Sequence, residues 1–439
     1  MYDKKVLIKR YFDEYSFVDA SLESFNYFIE HELNNILEEN RIITPTIIPH
    51  NIDEFKIKLD KIWVQKPEIT EADGSKRRIW PAEARLRKLT YAGPCFVELS
   101  SYINGVQRES LTTQIGSIPI MLKSKFCNLH KFSRQELVDV GEDPDDPGGY
   151  FIINGTEKVL VAVEDLAPNH LLVERAATGP SEFIGKMYCE YEVYRIPHLI
   201  EAFKDGIFYL SFTRIKRVPF IIVLKALGML KDEEIMRAVS IERQYDEVLL
   251  NLLEFSNIKR EDDALDIMAK KAGITQTKEI RIERMRELVD KYLLPQLGTK
   301  PEDRLYKGIN LCKMLRKFID VASGRLPEDD KDHYANKRLK LAGELMAELM
   351  RANLRMLIGD ILYNFQRTVK RGKFPSLKIT VRDKLLTQRI YSAMATGSWI
   401  GSREGVSQRV QRLSFLELLS HLQRVVSPLA ATQENFEAR

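Results

Sequence analysis

The sequence predicts an α+β protein of several domains, because segments with helical periodicity and segments with strand periodicity alternate along its 439 residues. Apolar residues recur at intervals of three to four across residues 10–40 and 335–371, which is typical of helices. Alternation of apolar and polar residues along Phe55–Ile62 predicts a strand. The stripe in 335–371 predicts a long core helix, which Gly343 or Gly359 could break.

The N-terminal part alternates between strand and turn signals. Residues 41–70 favour β-structure, and Ala72–Ser75 carries a signal typical of a hairpin or turn. Pro81–Arg87 predicts a short helix with proline in its first turn. Alternating strands are predicted from Tyr91 to Arg108, and another near 115–121.

An acidic, proline-punctuated loop at Glu142–Gly149 leads into a predicted buried strand at Tyr150–Ile153. Asn154-Gly155 predicts a type I′ hairpin turn, and Lys158–Val163 predicts the returning strand. The loop carboxylates raise the alternative of a metal site. The loop lacks the spaced oxygen ligands of a calcium loop, so a structural turn is the favoured interpretation.

In the middle of the chain, strand signals give way to helix signals near Pro219. Residues 170–220 are predicted to be rich in strands, and a helical stretch with breaks follows to about Lys317. The charged segment Asp329–Asp332 indicates a loop and a candidate domain boundary.

Several classes of active site are excluded by their missing motifs. The sequence contains no phosphate-binding loop, dinucleotide fingerprint, zinc-protease helix or nucleophile elbow. No C-x2-C pair occurs, so we expect buried reduced thiols rather than a zinc site. No signal peptide follows Met1, and no apolar stretch is long enough for a membrane span, which predicts an intracellular, cytoplasmic protein. The four cysteines are Cys95, Cys127, Cys189 and Cys312.

Charge is distributed unevenly along the chain. Lys331–Arg439 contains 19 basic and 9 acidic residues, a net charge of +10, and the rest of the chain has a net charge of −6. A basic C-terminal quarter favours a localised phosphate-binding face. The alternative is chance clustering on solvated helix faces.

The segment from Ala395 to Arg439, called the C-terminal strip below, mixes apolar residues with Arg, Gln, Ser and His. Arginine binds phosphates through two oxygens at once, and serine and glutamine can bond sugar or base edges. Each residue taken alone is more often an ordinary surface charge or core histidine. Together they predict a nucleic-acid-binding site at Arg403, Ser407, Gln408, Arg412, His421 and Arg424.

Longer motifs in the chain resemble the second-largest subunit of multi-subunit RNA polymerases, in its archaeal and eukaryotic branch more than its bacterial one. The matches occur in order and cover nearly the whole chain. The motifs are Pro81–Arg87, Leu89–Ala92, Asp143–Leu160, Asp332–Leu345, Ala395–Trp399 with Gly405–Gln408, and Ser420–Pro428.

The resemblance implies a domain arrangement. Residues 1–165 and 345–395 would form the two parts of a protrusion, and residues 166–344 a lobe inserted within it. Residues 396–439 would begin the fork. The chain is most similar to the N-terminal half of the split archaeal subunit, so we expect either a trimmed sequence or a partner chain that completes the domain.

The resemblance also implies a function. The chain would form one side of the DNA cleft during template-directed RNA synthesis, and the C-terminal strip would line the DNA–RNA hybrid near the active centre. The family's catalytic Mg²⁺ is held by the largest subunit, and zinc is expected in other subunits, so no cofactor or metal is expected in this chain. The chain would belong to a nucleotidyltransferase but be inactive in isolation. Rifamycin sensitivity is not carried over, because the residues between Arg409 and Leu419 depart from the bacterial pattern.

The implied partners are the other polymerase chains: B′, which completes the second-largest subunit, A′ and A″, which form the largest, and assembly subunits of the D and L type. Template DNA, the RNA transcript, and initiation and elongation factors would also be partners, and a membrane would not. The alternative function is a stand-alone module that binds nucleic acid or protein and has no enzymatic role.

Overall fold

Helices and sheets both occur in the computed structural model, and the chain divides into two units, which confirms the predicted multidomain α+β class. Unit 1 is drawn from Met1–Asp165 and Leu339–Glu434, and unit 2 from Leu166–Arg338. Each unit has its own hydrophobic core. The structure describes residues 4–49, 52–176, 179–191, 194–241, 243–400 and 403–427.

The first segment of unit 1 begins with helices and continues mainly as strands. Its helices are α1 (Lys4–Glu14), α2 (Asp19–Tyr27), α3 (Leu33–Glu39), α4 (Pro81–Leu86) and α5 (Arg134–Asp139), with a π-helical turn at Phe28–Glu32. Its strands are β1 (Ile42–Ile43), β2 (Phe55–Val64), β3 (Glu68–Thr70), β4 (Lys76–Arg78), β5 (Ala92–Ile103), β6 (Val106–Pro119), β7 (Phe151–Ile153), β8 (Thr156–Leu160) and β9 (Ala162–Leu166).

Unit 2 is an antiparallel sheet followed by helices, as predicted from the change from strand to helix signals near Pro219. The strands pair in the order in which they occur along the chain. They are β10 (Leu172–Arg175), β11 (Phe183–Tyr191), β12 (Tyr194–Ala202), β13 (Phe208–Phe212) and β14 (Ile215–Pro219). The helices are α6 (Phe220–Ala226), α7 (Asp232–Val239), α8 (Asp246–Glu254), α9 (Glu261–Lys271), α10 (Lys278–Tyr292) and α11 (Arg304–Ala322), with 3₁₀ turns at Pro295–Leu297, Pro301–Asp303 and Tyr334–Asn336.

The chain then returns to unit 1, where one long helix leads to the C-terminal strip. The elements of this part are β15 (Lys337–Lys340), α12 (Ala342–Val369), α13 (Leu377–Thr380), α14 (Asp383–Thr396), β16 (Ser407–Arg409), α15 (Phe415–Leu422) and β17 (Val425–Val426). Residues 335–341 are a turn and a strand, so the prediction that the long helix starts at 335 was wrong. Neither of its glycines breaks α12. The segment 428–439 of the strip lies outside the described residues.

The main sheet of unit 1 has the strand order β1-β2-β5-β6. The alternation read in Phe55–Ile62 corresponds to β2, whose Phe55, Ile57 and Leu59 are buried in the core. Helix α3 packs against β2, and α14 packs against β6. The single helix predicted over residues 10–40 is observed as three α-helices. The chain turns between α1 and α2, and the π-helical turn at Phe28–Glu32 separates α2 from α3.

Strands β7 and β8 form the hairpin that the sequence predicted. Ile153 pairs with Thr156, and the two turn residues have positive φ, 49° at Asn154 and 73° at Gly155. This is the backbone geometry of a type I′ turn, for which Asn-Gly is the preferred pair. The hairpin matters because β8 carries the C-terminal strip on its other edge.

Gly343 is a point of close approach between α12 and α2. Its backbone N–H donates to Ser24 Oγ at 3.1 Å, and a Cβ at this position would lie 2.0 Å from the Ser24 carbonyl oxygen. We expect Gly343→Ala to destabilise unit 1 by about 1–3 kcal/mol, since α12 must shift away from α2. Thermal and urea unfolding of the full chain measure this.

The matched control lies in the same helix. Gly359 has open space where a Cβ would lie, so Gly359→Ala should stabilise the protein by about 0.5–1 kcal/mol through helix propensity alone. Equal effects of the two substitutions would contradict the packing role of Gly343.

All four cysteines are buried, and none forms a disulfide. Burial raises the pKa of the Cys95, Cys189 and Cys312 thiols to about 12. The cysteines are therefore core residues, in agreement with the predicted burial. Among the described helices, none combines the length and apolar character that crossing a membrane requires.

Candidate nucleic-acid interface

The C-terminal strip joins unit 1 through two strand pairings. Strand β16 is antiparallel to β8, with Ser407 opposite Leu160 and Arg409 opposite Lys158. Strand β17 is parallel to β9, with Val425 beside Ala162. The described part of the strip is therefore an ordered extension of two small sheets, and it holds its side chains in fixed places.

Helix α15 connects these two strands and is amphipathic. Ser414 caps its N-terminus, because its Oγ accepts the N–H of Glu417 at 3.1 Å. Leu418 and Leu422 are buried in the core of unit 1. Phe415 and Leu416 of the helix are 55% and 76% exposed, and Leu413, just before the helix, is 90% exposed, so apolar groups also face the surroundings.

His421 lies in the interior of the strip rather than on its surface. Its side chain is buried, and its Nδ1 accepts the backbone N–H of Gln411 at 3.2 Å. Since Nδ1 accepts, the ring proton of the neutral imidazole is on Nε2, which lies 3.2 Å from Gln408 Oε1. The Nε2–H can then donate to that oxygen. Gln408 Nε2 donates in turn to the carbonyl of Gly405 at 3.0 Å, where this series of hydrogen bonds ends.

The environment of His421 favours the neutral ring. Burial, and then the charge of Arg424, lower its pKa below the ordinary value of 6.5, and only Glu417 acts in the opposite direction. The unfolded chain therefore takes up a proton more readily than the folded strip does. The stability that His421 contributes is complete above pH 6.5 and decreases as the pH falls below that value.

Hydrogen exchange can measure this pH dependence. We expect the protection of the Gln411 amide, corrected for its intrinsic exchange rate, to be lower at pH 5.5 than at pH 7.5. The variant His421→Gln keeps an acceptor and a donor but does not titrate, so its protection should not change between the two pH values. A similar loss of protection in both proteins would contradict the assignment.

Tyr150 is the centre of a polar network that holds Arg412. The buried tyrosine hydroxyl donates to Asp146 Oδ2 at 2.8 Å and accepts from Arg412 Nη2 at 2.9 Å. Arg412 also binds Glu157 Oε2 at 2.5 Å and Asp146 Oδ2 at 2.8 Å. Its guanidinium lies 5.2 Å from the centre of the Tyr150 ring. The charge of Arg412 is therefore balanced within the protein.

A second arginine, Arg85 of α4, also donates to the Tyr150 hydroxyl. Its Nη2 donates to Tyr150 at 2.8 Å, its Nη1 to Glu142 Oε2 at 2.9 Å and its Nε to Glu157 Oε1 at 2.8 Å. Glu157 thus lies between Arg85 and Arg412. The side chain of Glu142 is only 7% exposed. Burial raises the pKa of this carboxyl, and Arg85 counteracts that shift.

This network, called the Tyr150 network below, explains the acidic loop. Asp146 bonds Tyr150 and Arg412 and also accepts the N–H of Gly148 at 2.8 Å, and Glu142 bonds Arg85. The loop carboxylates are therefore turned toward the protein's own donors, in accord with the interpretation as a structural turn. Within the described residues, no group of three or more metal-ligating side chains comes together.

Arg403 and Ser407 also face inward. Arg403 Nη2 binds Asp165 Oδ2 at 2.5 Å, and its Nη1 is 3.6 Å from Glu348 Oε2. Ser407 is buried, and its Oγ donates to the Met394 carbonyl at 2.6 Å. These contacts attach the start of the strip to β9, α12 and α14 of unit 1.

Arg424 differs from the other predicted site residues. Its side chain is exposed and makes no hydrogen bond or ion pair with another described residue. Arg409 on β16, an arginine whose chemistry in the sequence also suits phosphates, is likewise exposed and makes no hydrogen bond or ion pair through its side chain with another described residue. The structure thus places the six predicted residues in one strip, with five engaged in bonds within unit 1 and Arg424 directed outward.

The chain is similar to known proteins over most of its length. The model of the family described as RNA polymerase beta subunit matches residues 16–388, which is most of the chain. The chain belongs to this family. The residues that carried the resemblance in the sequence, from Pro81 to the start of α12, fall within the matched range.

Members of the family from archaea align with nearly the whole chain. The protein named DNA-directed RNA polymerase subunit Rpo2 of Saccharolobus solfataricus is 43% identical over 99% of this chain. The proteins named DNA-directed RNA polymerase subunit Rpo2N of Methanocaldococcus jannaschii and Halobacterium salinarum are 42% and 37% identical over 99% and 100% of it. The chain spans 38% of the length of the Saccharolobus relative, 88% of the Methanocaldococcus relative and 86% of the Halobacterium relative.

Proposed function

We propose that the chain is a subunit of a DNA-directed RNA polymerase that carries no catalytic metal. The observation that supports this most is the similarity over 99% of the chain to relatives named as subunits of that enzyme. In this proposal the chain contributes to template-directed RNA synthesis by positioning and electrostatics. The catalytic Mg²⁺ and the zinc ions would be held by other chains.

We further propose that residues 1–165 and 345–395 form the protrusion, residues 166–344 the inserted lobe and residues 396–439 the start of the fork. The division into two units supports this assignment, since the chain leaves unit 1 after Asp165 and re-enters it at Leu339. These domains would form one side of the DNA cleft.

Within the cleft, the C-terminal strip would hold the DNA–RNA hybrid. The contacts of the strip suggest two roles for its residues, direct phosphate binding and support of the backbone. Arg424 and Arg409 have exposed guanidinium groups and would bind phosphates directly. The residues that bond within unit 1 would fix the backbone on which these two arginines are carried. They are Arg403, Ser407, Gln408, Arg412 and His421.

The partners in this proposal are a B′-like chain, the A′ and A″ chains of the largest subunit, and assembly subunits of the D and L type. Template DNA, the transcript, and initiation and elongation factors would bind the assembled enzyme in the cytoplasm. The exposed Leu413 and Leu416 of the strip are suited to burial against another chain.

Purification of the protein through an affinity tag on this chain tests the proposal. We expect an assembly of many chains that synthesises RNA from a DNA template, and no synthesis by the chain alone. A monodisperse single chain that binds nucleic acid tightly, with no associated polymerase activity, would support the stand-alone module instead. Synthesis by the isolated chain would contradict the role as a subunit without catalytic metal.

A further inference from the structure

A second basic surface lies on unit 1, at the end of α12 and in the turn that follows it. Residues 366–382 contain six basic residues and no Asp or Glu. Arg367, Lys370, Arg371, Lys373 and Lys378 are all exposed, and none of these five side chains makes an ion pair or hydrogen bond with another described residue. We call these five residues the α12 basic surface.

Backbone hydrogen bonds shape the turn that carries this surface. Gly372 has a φ of 73° and its N–H donates to the Val369 carbonyl at 2.8 Å, while Lys373 donates to the Thr368 carbonyl at 3.3 Å. These bonds close the C-terminus of α12. Phe374 then packs edge-on against Phe55 and Phe365, with ring centres 5.6 and 6.0 Å apart. The turn is therefore held to α12 by backbone hydrogen bonds and to the core by Phe374.

Two described carboxylates close to this segment, Glu109 and Asp360, are already bound to other groups. Glu109 accepts from Ser376 Oγ at 3.2 Å and from the Leu377 N–H at 3.4 Å. Asp360 pairs with Arg382 at 3.3 Å, which satisfies the sixth basic residue of the segment. A further cation, Arg108, lies over the ring of Phe374 at 5.8 Å. The positive charge of the five exposed side chains is therefore left uncompensated by these neighbours.

A few cations at a helix C-terminus are expected, because they complement the helix dipole. That effect is confined to the last turn of the helix. Here Lys373 and Lys378 lie beyond the end of α12, in the turn and in α13. Helix capping therefore accounts for part of the surface only.

We propose that the α12 basic surface binds the phosphate backbone of duplex DNA, as a second contact apart from the C-terminal strip. The two regions are joined by α14, whose 14 residues separate them by roughly 20 Å. Arginine and lysine side chains without ion-pair partners among the described residues suit an evenly charged polyanion. The choice of DNA as the polyanion rests on the proposed function.

The test compares two triple variants in the polymerase purified through this chain. The surface variant loses three charges of the α12 basic surface through Lys370→Ser, Arg371→Ser and Lys373→Ser. The unit 2 variant is the control and loses three exposed charges that are unpaired with other described residues, through Lys259→Ser, Arg260→Ser and Lys313→Ser. Affinity for a fluorescein-labelled 30-base-pair duplex is measured across a salt titration by fluorescence anisotropy. Unchanged unfolding temperatures show that both variants fold.

We expect the dependence of log affinity on log salt to weaken in the surface variant by about 0.9 for each phosphate that the variant no longer binds, up to about 2.7. The unit 2 variant should have the salt dependence of the unsubstituted enzyme. Equal slopes for the two variants would overturn the proposal. Loss of another protein chain from the assembly, with the DNA slope unchanged, would overturn it in favour of a protein-docking surface. Failure of the proposed function is detected separately, as absence of RNA synthesis by the unsubstituted assembly.

Discussion

Replacing Arg85 by alanine should destabilise unit 1 by on the order of 3 kcal/mol. The substitution removes the cation between Glu142 and Glu157, whose side chains are only 7% and 16% exposed. It also removes one of the two donors to the Tyr150 hydroxyl. Two carboxylates would then remain poorly solvated with a single guanidinium, that of Arg412, near one of them. Urea unfolding of the full chain measures the change.

Arg87, two residues further along the chain, provides the matched control. It pairs with Glu71 at 3.0 Å and with Glu83 at 2.8 Å, but its side chain is 42% exposed. Water screens these pairs, so Arg87→Ala should change stability much less than Arg85→Ala. Similar losses for the two variants would show that the Tyr150 network contributes no more than a surface ion pair.

If the strip holds the DNA–RNA hybrid as proposed, replacing Arg409 and Arg424 together by alanine should weaken binding of the assembled polymerase to that hybrid. Both side chains are exposed and free of ion pairs with other described residues. If each binds one phosphate, the salt dependence of hybrid affinity should decrease by about 1.4 to 1.8 in log–log slope. Stalled elongation complexes should dissociate faster as salt is raised. Retention of labelled RNA on immobilised polymerase across a salt titration gives both quantities.

The control for this pair is Lys259→Ala with Arg260→Ala, which removes two exposed charges from unit 2. The control variant should retain RNA as the unsubstituted enzyme does. Retention by the strip variant that matches the control at every salt concentration would remove both arginines from the proposed contact.

Periodicity in the sequence predicted the fold class because each signal is local. The alternation in Phe55–Ile62 is β2, the Asn154-Gly155 pair is the turn between β7 and β8, and the stripe in 335–371 contains α12. The predicted start of this helix was wrong because residues 337–340 form a strand. That strand pairs with β9, which is distant in sequence. Tertiary pairing overrides local preference at such positions.

The candidate site could be predicted from the sequence only in part. Arg85, Tyr150 and Arg412 come from three segments far apart in the chain, so no spacing rule connects them. Residue type identified Arg412 and His421 as candidates, but exposure and hydrogen bonds distinguish a side chain that holds the strip from one that faces outward. The basic run in 366–382 was visible only as part of the net charge of the last quarter.

Crosslinking from position 424 is the most direct test of the account. A photoreactive residue, p-benzoylphenylalanine, replaces Arg424 in a polymerase purified through this chain and stalled on a hybrid with labelled RNA and labelled template DNA. If the strip lies against the hybrid, irradiation should join this chain to RNA or template DNA in complexes that can still extend the RNA. Crosslinks to protein alone, in complexes that remain active, would contradict the proposed place of the strip.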